Sequence, residues 1–229
     1  VAYFQAGDLS QGQVLRRMGM RALRRPKRTG VCKIPVDYPD TSKPPVVEDR
    51  TLEAVTPGEC LREWHKVQRG RDRFRLSCHP TGSLTVATMS STLRDWTREG
   101  WVPDVVVIDY ADVLAPPPGV REKRDQINGN WEHMRRLSQE LHCLLVTATQ
   151  ADAASYDLEL LRRGNFSEDR RKHDHVTAML GLNATDADKK VGVTRLNWLD
   201  RRDEKFIVGR QVYVAGCLDI VCPAMKSRM

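Results

Sequence analysis

Two polar side chains stand where apolar segments end. Residues 105–109 read Val-Val-Val-Ile-Asp, and residues 143–150 read Cys-Leu-Leu-Val-Thr-Ala-Thr-Gln. Aliphatic runs without polar alternation are the pattern of strands buried on both faces of a parallel sheet. Ligands of such sheets bind beyond the carboxyl ends of the strands, so Asp109 and Gln150 are expected to face one crevice. A carboxylate placed there avoids the penalty of burial by meeting a cation or water. An aspartate ending a hydrophobic strand suits a magnesium–nucleotide site, where it holds Mg²⁺ through water. The competing reading is an exposed aspartate that only caps a turn.

The flanking segments supply the elements that would position these groups. Residues 1–5 (VAYFQ) read as a short strand, and a helix follows from near Ser10, with Val14 and Met18 on one stripe. From Thr85, Val86, Met89, Leu93 and Trp96 step by helical intervals until Gly100. The strand at 104–109 comes next. A second helix carries Ile127, Trp131, Met134, Leu137 and Leu141 on one side, and leads into the strand at 143–150. A polar, basic loop spans 152–172, and three further strands are predicted over 175–183, 191–202 and 210–221. Residues 25–80, rich in Pro, Lys and Arg and weak in periodicity, read as an inserted or elaborated surface region, partly irregular. The expectation is one α/β domain over 1–229 with a mainly parallel central sheet.

Composition narrows the function classes. The 229 residues carry a net charge of +7, which favours an anionic partner, nucleic acid first among them. No apolar run approaches the roughly 20 residues that span a bilayer, and the opening residues do not read as a signal peptide. Six scattered cysteines (32, 60, 78, 143, 217, 222) read as reduced thiols of a cytoplasmic protein. The chain begins inside an apolar strand-like run, the pattern of a fragment.

Five stretches, VAYFQAGDLSQGQ, SLTVATMSSTLRDW, PDVVVIDYADVLAP, LVTATQADAASYD and the closing strands, follow one another in a familiar order. In this order and spacing the chain resembles the RecA-like ATPase domain of DnaB-type replicative helicases, in a divergent phage or prophage form. The resemblance covers 1–23 and about 81–222. It implies a RecA-like P-loop NTPase core, ATP and Mg²⁺ as cofactors, and single-stranded DNA as partner. It also implies a homo-oligomeric, hexameric ring and contact with other replication proteins. Under it, Asp109 matches the Walker B aspartate, and Gln150 the sensor of the γ-phosphate. Asp8 stands where the family has its general-base glutamate, one methylene shorter. Arg201 and Arg202 match the arginine finger offered to a neighbouring protomer, with Arg195 also considered. A G-x-x-x-x-G-K-S/T phosphate loop does not occur in the sequence. The resemblance places it upstream of Val1, so this stretch alone is expected to bind ATP weakly or not at all. A non-catalytic DNA-binding or assembly module, and a recombinase or regulatory ATPase of the same fold, are the alternatives.

If the resemblance holds, the loops after the two strands face the channel of the ring. The first carries Arg121, Lys123 and Arg124. The second carries Arg162, Arg163, Arg170, Arg171 and Lys172. Cations on loops suit sequence-independent phosphate contacts, although acids interleave in the second loop. Zinc is not expected: Cys32, Cys60, Cys78 and His79 lack the close pair of structural zinc sites. His173 and His175, two apart at an expected strand start, would share a face without a third ligand. Trp96 and Trp131 are expected in the core, and Cys143 as a small buried hydrophobe.

Overall fold

The computed structural model describes residues 1–155, 158–165 and 171–229. Along the chain run β1 (Ala2–Gly7), α1 (Gln11–Leu23), β2 (Gly30–Asp37), β3 (Val46–Leu52), α2 (Pro57–Gln68), β4 (Arg75–Pro80), α3 (Val86–Arg98), β5 (Val105–Asp109) and α4 (Lys123–Leu141). They are followed by β6 (Leu144–Thr147), the short α5 (Lys172–His175), β7 (Ala178–Asn183), α6 (Asp186–Lys190), β8 (Val193–Arg201), β9 (Gln211–Cys217) and β10 (Cys222–Arg228). The chain divides into two compact units, one from the described residues of 1–14, 68–151 and 166–176, the other from those of 15–67, 152–165 and 177–229.

The first unit is a parallel four-stranded sheet in the order β4-β1-β5-β6. Its register pairs Phe4 with Ile108, Gln5 with Asp109, and Val107 with Val146. Side chains alternate across a strand, and here the two faces differ. Ala2, Phe4, Ala6, Val106 and Ile108 pack with Val86, Met89 and Leu93 of α3 and with Ile127, Trp131, Met134 and Leu137 of α4. Thr85 starts α3 with its side chain accepting from the Thr88 N–H, which satisfies one orphan donor of the first turn. His142 ends α4 in the left-handed region. The other face carries Tyr3, Val107, Leu144 and Val146, and the last two are 59% and 44% exposed. The expectation of strands buried on both faces therefore holds for one face only, because α3 and α4 lie on the same side.

The second unit is an antiparallel sheet in the order β10-β9-β8-β7, together with the β2–β3 hairpin. Its polar core centres on Asn183 and Asn197, whose amides bond one another and the backbone of Leu161. Thr185 and Asp188 form a reciprocal capping box at α6. Burial would raise the Asp188 carboxyl, but its bonds to Thr185 and the Arg195 guanidinium outweigh that and hold it below the usual range. In α1, a Cβ at Gly19 would overlap the Cys60 Sγ, so only glycine lets α1 and α2 approach so closely.

Residues 25–80 are more regular than their composition suggests. They hold β2, β3, α2 and β4, and β4 joins the parallel sheet beside β1, pairing Tyr3 with Leu76. His173 and His175 are corrected too: they lie in the helical turn of α5, not at a strand start, and two-apart residues of a helix face different directions. His175 instead meets the Asn128 side chain, Nε2 to Oδ1 2.9 Å.

Candidate functional site

The carboxyl ends of β1, β5 and β6 gather acidic and amide groups around one phenol. Tyr110 follows Asp109 through a cis peptide bond. Burial lifts its hydroxyl pKa above the ordinary value, and the charges of Asp8, Asp112 and Asp109, in that order, lift it further. Asp8 is thus close enough for its charge to act on this hydroxyl. Gln150 donates to the Tyr110 Oη from its Nε2 at 3.1 Å. The structure therefore brings Asp8, Asp109 and Gln150 around one side chain.

Each of the three is held by a different device. Asp109 ends β5 opposite Gln5. The Tyr3 hydroxyl donates to its Oδ2 at 2.8 Å, and the buried Gln5 donates to its backbone carbonyl at 3.3 Å. This leaves Oδ1 of Asp109 to act outward. Asp8 follows Gly7, which turns at φ 124°. A Cβ at Gly7 would lie 2.5 Å from the Thr81 Cα, so the turn that brings Asp8 to the rim requires glycine. Gln150 lies three residues beyond the end of β6, not at it. Its N–H donates to Asp112 Oδ2 at 3.0 Å.

Beneath this rim is a polar anchor that the sequence reading missed. Lys172, 1% exposed in its side chain, donates to Asp112 Oδ1 at 2.9 Å and to Thr149 Oγ1 at 2.9 Å. The Thr149 hydroxyl in turn donates to Asp112 Oδ2 at 2.8 Å. The ammonium also lies 6.0 Å from the centroid of the Trp131 ring, within cation–π range. Lys172 was expected on a DNA-facing loop. It is instead turned inward, because a buried carboxylate needs a cation. The one signal available in the sequence was a second aspartate, Asp112, three residues after Asp109.

The remaining expected residues are placed as follows. Arg121, Lys123 and Arg124 are exposed at the start of α4, and Arg162 is exposed. Arg163 pairs with Asp200 and donates to the Leu199 carbonyl. Arg171 pairs with Asp125 at 3.1 Å, and Arg170 lies outside the described residues. Arg201 pairs with Glu204 and lies over the Trp198 ring at 4.7 Å. Arg202 follows β8, its N–H donating to the Thr177 carbonyl at 2.9 Å. Arg195 is committed to Asp188 at 3.0 Å and to the Tyr213 ring at 5.4 Å. Among the zinc candidates, Cys78 and His79 belong to β4 of the first unit, whereas Cys32 and Cys60 belong to the second. No described helix is long and apolar enough to cross a membrane.

Mg²⁺ takes one or two carboxylates and completes its shell with water and phosphate oxygens. An aspartate oriented by one phenol and flanked by two further carboxylates fits that demand. The residues that would cradle the phosphates are not in this sequence.

No family model matches the sequence, and no characterised protein does. Among solved structures, the chain is similar to the ATPase domain of a DnaB-like helicase, with a TM-score of 0.69 and 12% identity over 96% of this chain and 72% of that one. It is also similar to a DnaB-like replicative helicase studied for its interactions with primase, with a TM-score of 0.63 and 12% identity. That likeness covers 94% of this chain and about half, 49%, of the helicase. The chain has the α/β fold of RecA-like helicase ATPase domains, built on a parallel four-stranded central sheet.

Proposed function

We propose that this chain is the hydrolysis and sensing part of an ATP-driven, DnaB-like motor that moves on single-stranded DNA. The observation that carries the reading is the convergence of Asp8, Asp109 and Gln150 on Tyr110 at the carboxyl rim of the sheet. Bound Mg²⁺–ATP would supply the polarised γ-phosphate. Asp109, fixed by Tyr3, holds the metal's water shell. Asp8 accepts the proton of the attacking water, and its short side chain restricts where that water can stand. Gln150 reads the γ-phosphate and passes the change to the following segment through its N–H bond to Asp112. Arg201 and Arg202 are the candidate finger for a neighbouring copy in a hexameric ring. Cytoplasmic replication is the setting this activity implies.

The DNA side of the reading rests on Arg121, Lys123 and Arg124. Cations crowded at a helix N-terminus oppose the macrodipole, an arrangement that an anion relieves. Arg163 and Arg171 are partly neutralised by Asp200 and Asp125, so the crowded start of α4 offers the stronger phosphate contacts. Replacing all three α4 residues by alanine is expected to reduce the slope of log K against log salt by about 2, at roughly 0.7 per lost single-strand contact. Fluorescence anisotropy on a labelled oligonucleotide across a salt series measures it. An unchanged slope would place DNA elsewhere. The activity itself is tested on the intact protein: DNA-stimulated ATP hydrolysis with unwinding of a forked duplex supports a helicase, and DNA binding without hydrolysis supports a binding module instead.

A further inference from the structure

We propose that the second unit holds a soft divalent cation, by its chemistry zinc, on Cys32, Cys217 and Asp219, with Cys222 as the fourth ligand. Cys217 ends β9, Cys222 opens β10, and Asp219 lies in the 3₁₀ turn between them. Cys32 comes from β2. The ligand atoms of Cys32, Cys217 and Asp219 lie within 4.8 Å of one another, both sulfurs buried and the carboxylate exposed. Thiolate sulfurs of a tetrahedral zinc site stand about 3.8 Å apart, given Zn–S bonds of about 2.3 Å, so a closure of about 1 Å completes the arrangement.

Three further observations point to a ligand and not to thiols packed as hydrophobes. First, Cys217 and Cys222 are separated by four residues, within the C-x₂₋₄-C spacing of structural zinc sites. They are also register partners across β9 and β10, so their side chains share one face. Second, the backbone N–H groups of Asp219 and Ile220 are both bonded to the Cys217 sulfur, where they work against the burial that pushes its thiol up. Two such donors stabilise a thiolate and are wasted on a neutral thiol. Third, Arg21 Nη1 donates to the Cys222 Sγ at 2.6 Å, which places a cation beside what would be an anionic cluster. Cys32, Cys217 and Cys222 share one buried cluster with Ile34 and Ile220. The cation would therefore pin the β2–β3 hairpin to the β9–β10 corner, a structural role that requires four closed ligands. Sequence reading looked for a close pair among Cys32, Cys60, Cys78 and His79 and passed over the pair at 217 and 222.

The test uses the reduced full chain, stripped of metal and titrated with cobalt(II), then with zinc in competition. Expected is one equivalent of cobalt with thiolate-to-metal charge transfer and intense tetrahedral d–d bands, displaced by zinc. Cys217→Ser should weaken binding by about a hundredfold or more, whereas Cys143→Ser, in the first unit, should leave it unchanged. Should Cys217→Ser fail to fold, the exposed Asp219→Ala keeps the test open, since it should shift the d–d bands and weaken zinc. The proposal is overturned if the reduced chain develops no charge-transfer band. It is equally overturned if the band survives in Cys32→Ser/Cys217→Ser, or if peptide mapping of the metal-free chain finds a Cys32–Cys217 disulfide that reduction does not convert to a metal-binding form.

Discussion

Asp109→Asn in the intact protein is expected to lower DNA-stimulated ATP hydrolysis by about a hundredfold or more, in line with the loss of a group that stabilises transition-state charge. The substitution keeps size and shape and still accepts the Tyr3 hydroxyl bond at the Oδ2 position. It removes only the charge, so the fold and β5 register should survive, and nucleotide affinity should fall less than the turnover rate. Tyr3→Phe separates orientation from charge. It leaves the carboxylate ionised but frees it to rotate, and a smaller loss, about tenfold, is expected from misplacement alone. Steady-state hydrolysis with and without single-stranded DNA measures both. Asp109→Asn at near wild-type rate would remove this carboxylate from the reaction.

Lys172→Met should destabilise the protein by about 3–5 kcal/mol, the penalty of leaving a buried charge without its partner. The methionine fills a similar volume, so the cost falls mainly on Asp112, whose side chain is only 10% exposed. Thr149 and the Gln150 N–H still donate to that carboxylate, which keeps the cost at the lower end. Adding Asp112→Asn should recover part of the loss, with a coupling of about 2 kcal/mol between the two sites. Urea unfolding of the four proteins in the cycle measures it. A loss below about 1 kcal/mol, together with a flatter salt dependence of DNA binding, would mean that Lys172 lies in solvent against phosphate. Because the anchor shares Asp112 with Gln150, the double variant should also lose DNA stimulation more than basal hydrolysis.

The helices at 86–98 and 123–141 were legible in the sequence because their apolar residues recur at helical intervals and their ends carry turn signals. Asp109 was legible because four aliphatic residues announce a strand and a charge cannot continue it. The hairpin of β2 and β3 was not, since Pro35 interrupts one strand and the other is exposed along nearly its whole length, so no alternation marks it. β10 escaped for the same reason: Pro223, Lys226 and Ser227 belong to an edge strand, where burial does not select the residues. Tyr3 and Asp109 meet only through the parallel register of strands about a hundred residues apart, which local pattern does not encode. Lys172 was misread because a run of cations does not reveal which one turns inward to a carboxylate sixty residues away.

The central claim is that Asp8, Asp109 and Gln150 act on one triphosphate. Its most direct test is a structure of the intact protein with Mg²⁺ and a non-hydrolysable ATP analogue. The account predicts a magnesium-bound water against the Asp109 carboxylate, with Gln150 and Asp8 turned to the γ-phosphate side. A nucleotide bound away from the rim at Tyr110, with Asp109 still closed onto Tyr3 alone, would contradict it.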